Sequence, residues 1–331
     1  MNSKERVLAR LEGKPVDKIP NLNITMLFAA KYAGVPYGEF CSDYRKMAEA
    51  QFKTAKEFGI DILSTMSDPF RETYDYGADV VYQEDDLPIC RERLLQGPED
   101  FHKLKRWDPL TSVRMLDRIK AVRLLKEMAK DEYMVLGWVE GAMAELSDLL
   151  DISEALAMLY EEPEFVKDCL ELITDQAVAC AVAQIEAGAD IIGMGDACVS
   201  LIGRDLYREF ALPYEKKIAD AIHRAGGKLK LHICGNITHL LPDLMEVGAD
   251  ILDLDYMVDL DQAVELSQGR CSLCGNINPM VILQGPEEKI VEEMKTFLSK
   301  TDDRSFLSSG CEVPKMTPSR NLMVMHETLL H

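Results

Sequence analysis

Apolar and polar positions alternate along this chain in a phrase that recurs: a helix-like run ends in glycine and a short apolar run follows at once. The phrase reads EFGIDILSTMSD from Glu57, DYGADVVYQEDD from Asp75, EAGADIIGMGDA from Glu186 and EVGADILDLDY from Glu246, with looser copies RAGGKLKLHICGN from Arg224 and SQGRCSLCGNINP from Ser267. Glycine suits the left-handed position that closes a helix, and the β-branched residues behind it suit a strand buried on both faces. Each copy therefore predicts a helix-to-strand junction. Further strands are expected at Ile19–Ile24, Tyr133–Gly137 and Arg304–Ser308, which brings the count to about eight, the copy at Asp79–Glu84 being the least secure. Helix and apolar strand in alternation make right-handed βαβ units and a parallel sheet, and about eight of them favour a closed (β/α)8 barrel. No G-x-G-x-x-G follows the first strand to support an open doubly wound sheet.

No Pro-, Gly- or Ser-rich linker divides the chain, so the pattern predicts a single barrel domain over residues 1–331, with 1–18 an N-terminal helix and 87–132 a helical wall or insertion. Within that insertion Asp108 or Ser112 is placed to cap a helix. With 331 residues, 47% of them hydrophobic, the chain has material for one large core. No run of eighteen apolar residues occurs and the N-terminus is charged, which predicts an unexported, cytoplasmic protein away from membranes. A net charge of -20 repels phosphate backbones and argues against nucleic acid. Nine cysteines without a signal segment suit reduced thiols, Cys169 and Cys180 among them as core residues of a helix.

In a parallel barrel the C-terminal strand ends form the reactive mouth. The polar residues expected there are Asp68, Glu140, Asp196, His232, Cys234, Asp253, Asp255, Asn276 and Cys311. His232 and Cys234 stand two apart on a strand and leave the same face. Cys311 lies just past the last strand, which closes near the first. Imidazole and thiolates suit zinc, and three protein ligands with one open place describe a catalytic rather than a structural ion. The pattern alone leaves open that both cysteines are small core residues and His232 a hydrogen-bonded core histidine. Cys271 and Cys274 make a C-x-x-C, but on a strand they face opposite sides. His239 falls on a helix, and His102, His223, His326 and His331 have no surroundings that demand a role. Asp68 before Pro69 is as suited to cap a helix as to serve the site, Glu140, flanked by Gly137 and Gly141, suits a site role better than a cap, and one of Asp253 and Asp255 is suited to hold the histidine or fill the fourth place. Asp61, Asp190 and Asp250, at strand starts, read as structural residues of the barrel floor.

The opening SKERVLARLEGKPVDKIP and the ending MTPSRNLMVMHETL resemble the first helix and strand and the last helix of the uroporphyrinogen decarboxylase superfamily, a likeness that runs nearly end to end. LHICGN with GCEVPKMTP resembles the His-x-Cys…Cys zinc motif of its corrinoid-dependent branch, the methylcobamide:coenzyme M methyltransferases. That resemblance implies zinc on His232, Cys234 and Cys311 and methyl transfer between a small methylated or thiol substrate and a corrinoid. The corrinoid would arrive on a separate corrinoid protein, because no Asp-x-His-x-x-Gly occurs. Glu140, Asp68, Asp196 and Asp255 are then candidates for catalysis, and Asn276 and Asp253 for substrate binding. Porphyrinogen decarboxylation is the alternative, but the segment that carries arginines in those enzymes reads NLNITMLFAAKYAG here, and eight carboxylates would go unpaired. A non-catalytic barrel binding corrinoid or zinc is the third reading.

Overall fold

The computed structural model describes residues 1–330, so His331 lies outside the described residues. Among the described residues nine strands form: β1 (Ile62–Ser64), β2 (Asp79–Val81), β3 (Ile89–Glu92), β4 (Met134–Glu140), β5 (Ile191–Gly195), β6 (Lys228–Ile233), β7 (Ile251–Leu254), β8 (Ser272–Ile277) and β9 (Phe306–Ser309). Seven of them make one parallel sheet in the order β1-β4-β5-β6-β7-β8-β9, with helices packed around it. The curled sheet closes through Pro20–Ile24, which supplies the eighth stave. On one side the Leu22 N–H donates to the Leu307 carbonyl (2.8 Å) and the Leu307 N–H to that of Pro20 (3.1 Å), and on the other Asp61 N–H donates to Asn21 O (2.8 Å).

The copy at Asp79–Glu84 is not a stave. Its residues pair antiparallel with β3 in a separate hairpin, and β2 and β3 leave most of their positions exposed or half-exposed. Three residues that alternate in burial cannot be a strand buried on both faces, so the helix-Gly-apolar phrase was a weaker signal here. The stretch 87–132 correspondingly holds β3, a 3-10 turn (Pro98–Lys103) and the helix Arg114–Ala129, and is not helical throughout. Asp108 does not cap that helix, whereas the Ser112 hydroxyl accepts from the Leu116 N–H in its first turn (3.3 Å), and the Asp75 carboxylate accepts from the backbone of Val113, Arg114 and Met115 at 2.8–3.1 Å. Residues 1–18 contain the helix Ser3–Leu11, capped by a reciprocal Asn2–Glu5 pair.

The floor is stapled by the three repeated aspartates. Asp61 accepts from Ser3, Arg6, Lys18 and the Asn21 N–H, Asp190 from Lys126 and the Val135 N–H, and Asp250 from Lys228 and the Leu229 N–H while contacting His223. Each carboxylate thus ties one strand's start to its neighbour and to a helix. The core runs from these staples to the mouth, and Trp138 is its largest fully buried side chain. Its indole lies against β5, where a Cβ on Gly193 would stand 2.1 Å from Trp138 Cε3. The glycines of IIGMG are there to admit this ring.

A candidate metal centre at the barrel mouth

Lys230, His232 and Cys234 alternate along β6 and its continuation, so all three project to the inside of the barrel, from the buried middle to the rim. His232 Nε2 lies 3.3 Å from Cys234 Sγ, and Cys234 Sγ lies 3.8 Å from Cys311 Sγ. One donor atom from each of the three residues falls within 4.8 Å of the others. Cys311 reaches this point because Gly310 makes a close turn: its N–H donates to Ile277 O (2.7 Å), and a Cβ there would stand 2.4 Å from the Tyr256 nitrogen. Behind it, Glu312 accepts from the N–H groups of Met26 (3.2 Å) and Leu27 (2.7 Å) and ties the loop to the helix Leu27–Ala33.

The imidazole is held from behind. His232 Nδ1 sits 3.2 Å from Asp253 Oδ2, and the same oxygen receives the wholly buried Lys230 ammonium. Burial works to raise the Asp253 carboxyl, but Lys230 and His232 outweigh it and hold its pKa near about 2. Burial likewise works against the imidazolium, yet Asp253 and Cys311 carry the His232 pKa up to about 10. The Cys311 thiol is drawn down to about 4, chiefly by its contact with Cys234 and then by His232, while Cys234 is pushed up by Cys311 and by burial. Two sulfurs and a nitrogen therefore share protons around one point, with His232 buried and both cysteines half-buried. That is the condition in which a dication displaces protons from its ligands. Nitrogen and paired sulfur donors, the nitrogen oriented by a carboxylate, fit zinc.

The remaining expected residues divide into those at the mouth and those away from it. A cavity of about 590 Å³ opens beside Cys234 and is lined by Glu140, Asp255, Asp148 and Arg93 among others. Glu140 Oε1 accepts from Arg71 Nη2 (2.6 Å) and Trp138 Nε1 (3.1 Å). Burial pushes its carboxyl up to about 7, against the pull of Arg71 and with the help of the Glu72 charge. Asp255 accepts from the N–H groups of Gly235 (2.9 Å) and Met257 (3.1 Å), which fixes the turn after Cys234. Asp68 lies one layer deeper, where it accepts from Arg114 (2.8 Å) and Ser67 (2.7 Å) and from the Phe70 N–H (3.2 Å), while Arg71 also donates to its carbonyl. Asp196 is fully buried and accepts from the Ala144 N–H (2.7 Å) at the start of the helix Ala142–Leu150. Asp253, expected on the substrate, is 1% exposed and turns its Oδ2 to Lys230 and His232. Asn276 lines a different cleft of about 430 Å³, between the helices Leu260–Ser267 and Glu287–Lys300.

Cys271 and Cys274 do point apart. Cys271 Sγ contacts Met245 Sδ (3.9 Å), whereas Cys274 is buried near the Asp253 charge, which raises its thiol after burial. His239 contacts Ile202 O (2.9 Å). Sequence reasoning missed Arg71, Lys230, Arg93 and Asp148. Lys230 was within reach, since it precedes His232 by the same two-residue step that joins His232 to Cys234; the other three lie on helices and a loop outside the sheet, where the strand period does not reach.

The family model for uroporphyrinogen decarboxylase (URO-D) matches residues 2–330. The chain belongs to the URO-D family. Within that family it is similar to the methylcobamide:CoM methyltransferase MtbA of Methanosarcina acetivorans, at 30% identity over 98% of this chain and 96% of the relative. It is also similar to the uroporphyrinogen decarboxylase of Chlorobaculum parvum, at 27% identity over 79% of this chain and 77% of the relative. The solved structure of a methyltransferase from Methanosarcina mazei shares the fold, with a TM-score of 0.90 at 24% identity over 99% of this chain and 98% of that one. No helix among the described residues is long and apolar enough to cross a membrane.

Proposed function

We propose that this URO-D family member transfers a methyl group between the corrinoid of a separate protein and a small thiol, at a zinc ion held by His232, Cys234 and Cys311. The observation that carries the reading is the convergence of these three donors, within 4.8 Å of one another, at the barrel mouth, where Cys234 lines a cavity. Zinc held by these three residues would lower the pKa of an added thiol and so supply a thiolate nucleophile at neutral pH. Two cysteine sulfurs and a neutral imidazole favour that role over hard Lewis acidity on an ether oxygen, and the similarity to enzymes named for methyl transfer to CoM, a thiol, points the same way.

The chain's own residues supply the rest. Asp253 Oδ2, 3.2 Å from His232 Nδ1, is placed to keep the Nε2 edge of the ring turned toward Cys234, where a metal would be held. Asp255 fixes the Cys234 turn, and Gly310 with Glu312 fixes the Cys311 turn. Glu140, raised by burial, is suited to take the thiol proton near neutrality, and Arg71 and Trp138 hold it toward the cavity. Porphyrinogen decarboxylation is not favoured: Arg93 is the one cationic side chain among the residues lining the cavity.

The test is metal analysis and a methylcobalamin assay on the same preparations. Wild type is expected to hold about one zinc per chain and to demethylate methylcobalamin when a thiol is added. Cys234→Ser and Cys311→Ser lose both properties, and Cys271→Ser keeps both. Turnover of uroporphyrinogen by zinc-free protein would overturn the reading.

A further inference from the structure

Cys271 and Cys274, neighbours in sequence, point to opposite sides of their strand, whereas Cys234 and Cys311, 77 residues apart, hold their sulfurs 3.8 Å from one another. These two sulfurs touch without being bonded, and a small shift of either turn would bring them to bonding distance, about 2.05 Å. Both cysteines stand on turns rather than within strands. Cys234 follows the end of β6 and precedes Gly235, and Cys311 follows Gly310 past the end of β9. Of the nine cysteines six are buried, which leaves Cys90, Cys234 and Cys311 half-buried and within reach of solutes. The Cys90 sulfur, in the β2–β3 hairpin, contacts the Glu92 carbonyl (3.3 Å). Cys234 lines the cavity of about 590 Å³, which gives a small oxidant a route to its sulfur. Cys198 borders the same cavity but is only 3% exposed.

We propose that Cys234 and Cys311 form a reversible redox pair, in which peroxide oxidises Cys234 and Cys311 closes a disulfide with it, and that this modification disarms the metal site. The consequence for the metal rests on the zinc reading above, but the pairing rests on the geometry of the two sulfurs alone. The Cys234 thiolate attacks one oxygen of hydrogen peroxide: an S–O bond forms, the O–O bond breaks and hydroxide leaves. The Cys311 thiolate then attacks the sulfur of this sulfenic acid, and a second hydroxide leaves as the S–S bond forms. Each sulfur gives up one electron and the peroxide takes two, so no further reactant enters. A disulfide has no thiolate to offer, so an ion held by these residues is left with His232 alone and is released. A dithiol reductant returns both sulfurs to thiols and restores the site.

The experiment adds hydrogen peroxide in equimolar steps to the reduced, zinc-loaded full chain. Released zinc is read with a chromophoric chelator, and the sulfurs are mapped by alkylation, non-reducing proteolysis and mass spectrometry. Zinc is expected to leave in step with a cross-link between the peptides that carry Cys234 and Cys311, with both changes reversed by dithiothreitol and both kept in Cys90→Ser. In Cys311→Ser the cross-link should vanish, and dimedone should trap a sulfenic acid on Cys234. A cross-link from Cys234 to Cys198, oxidation of Cys90 ahead of the pair, or zinc loss with sulfinic acid and no cross-link overturns the proposal. If the purified chain holds no zinc, the zinc reading fails, and the same mapping on the metal-free chain decides the pair separately. A Cys234–Cys311 cross-link then supports it, and its absence at a peroxide dose that oxidises Cys90 overturns it.

Discussion

Replacing Asp253 by asparagine separates the two tasks of one carboxylate. Its Oδ2 receives the Lys230 ammonium and stands 3.2 Å from His232 Nδ1, all within the buried interior. Loss of a carboxylate behind a ligating histidine lowers metal affinity about 10–100-fold, or roughly 1.4–2.7 kcal/mol. Loss of the partner of a buried cation costs about 3–5 kcal/mol of folding stability. Asp253→Asn should therefore weaken zinc binding in competition with a chromophoric chelator and also lower the urea midpoint. Lys230→Met with Asp253→Asn should recover most of the stability, because the uncompensated charge is gone, but none of the zinc affinity. The pH dependence follows in sign. A carboxyl held at about 2 contributes stability that is present above its unfolded value near 4 and is lost as pH falls through about 2. Asn at 253 should remove that acid-side slope. If the single variant binds zinc as wild type does, or if the double variant restores zinc affinity, Asp253 does not orient His232.

Other consequences are equally direct. Zinc uptake by metal-free protein at neutral pH should release about two protons per ion, one from His232 and one from Cys234, read by titration in buffers of different ionisation enthalpy; release of none would contradict the shared-proton arrangement. Glu140→Gln should cost about 1–3 kcal/mol, because Arg71 keeps Glu72. It should also flatten the fall of stability between the unfolded carboxyl value and about pH 7 that a raised acid imposes, as urea midpoints at pH 5 and pH 8 would show. In Gly310→Ala the new Cβ would meet the Tyr256 nitrogen at 2.4 Å, so the Cys311 turn must shift. Overpacking of this kind costs about 1–3 kcal/mol, and zinc affinity should drop with it; unchanged zinc binding would show the turn to be tolerant.

The barrel was legible because buried parallel strands have a compositional signature and each is announced by a helix-closing glycine. The phrase misled at Asp79–Glu84, where the same words open a hairpin. Local pattern records the junction but not whether the next run is covered on both faces. His232 and Cys234 were legible through the strand period. Cys311 entered only from its place after the last strand, because closure of a barrel juxtaposes residues that no spacing connects. Asp253 was expected on either the histidine or the substrate, and register alone does not choose. The buried Lys230 on the adjacent strand does, since it commits one oxygen of the carboxylate to the interior. Arg93 and Asp148 lie on a loop and a helix outside the sheet, so nothing in their local sequence places them over the mouth. Asn276 stands at the expected strand end and borders a second cleft.

X-ray absorption at the zinc edge of the purified wild-type chain tests the central claim most directly. The account predicts one ion bound by two sulfurs at about 2.3 Å and by a nitrogen at about 2.0–2.1 Å, with one further light atom. On adding 2-aminoethanethiol the spectrum should change to three sulfurs. A chain that retains no zinc, or a spectrum without sulfur, would contradict it.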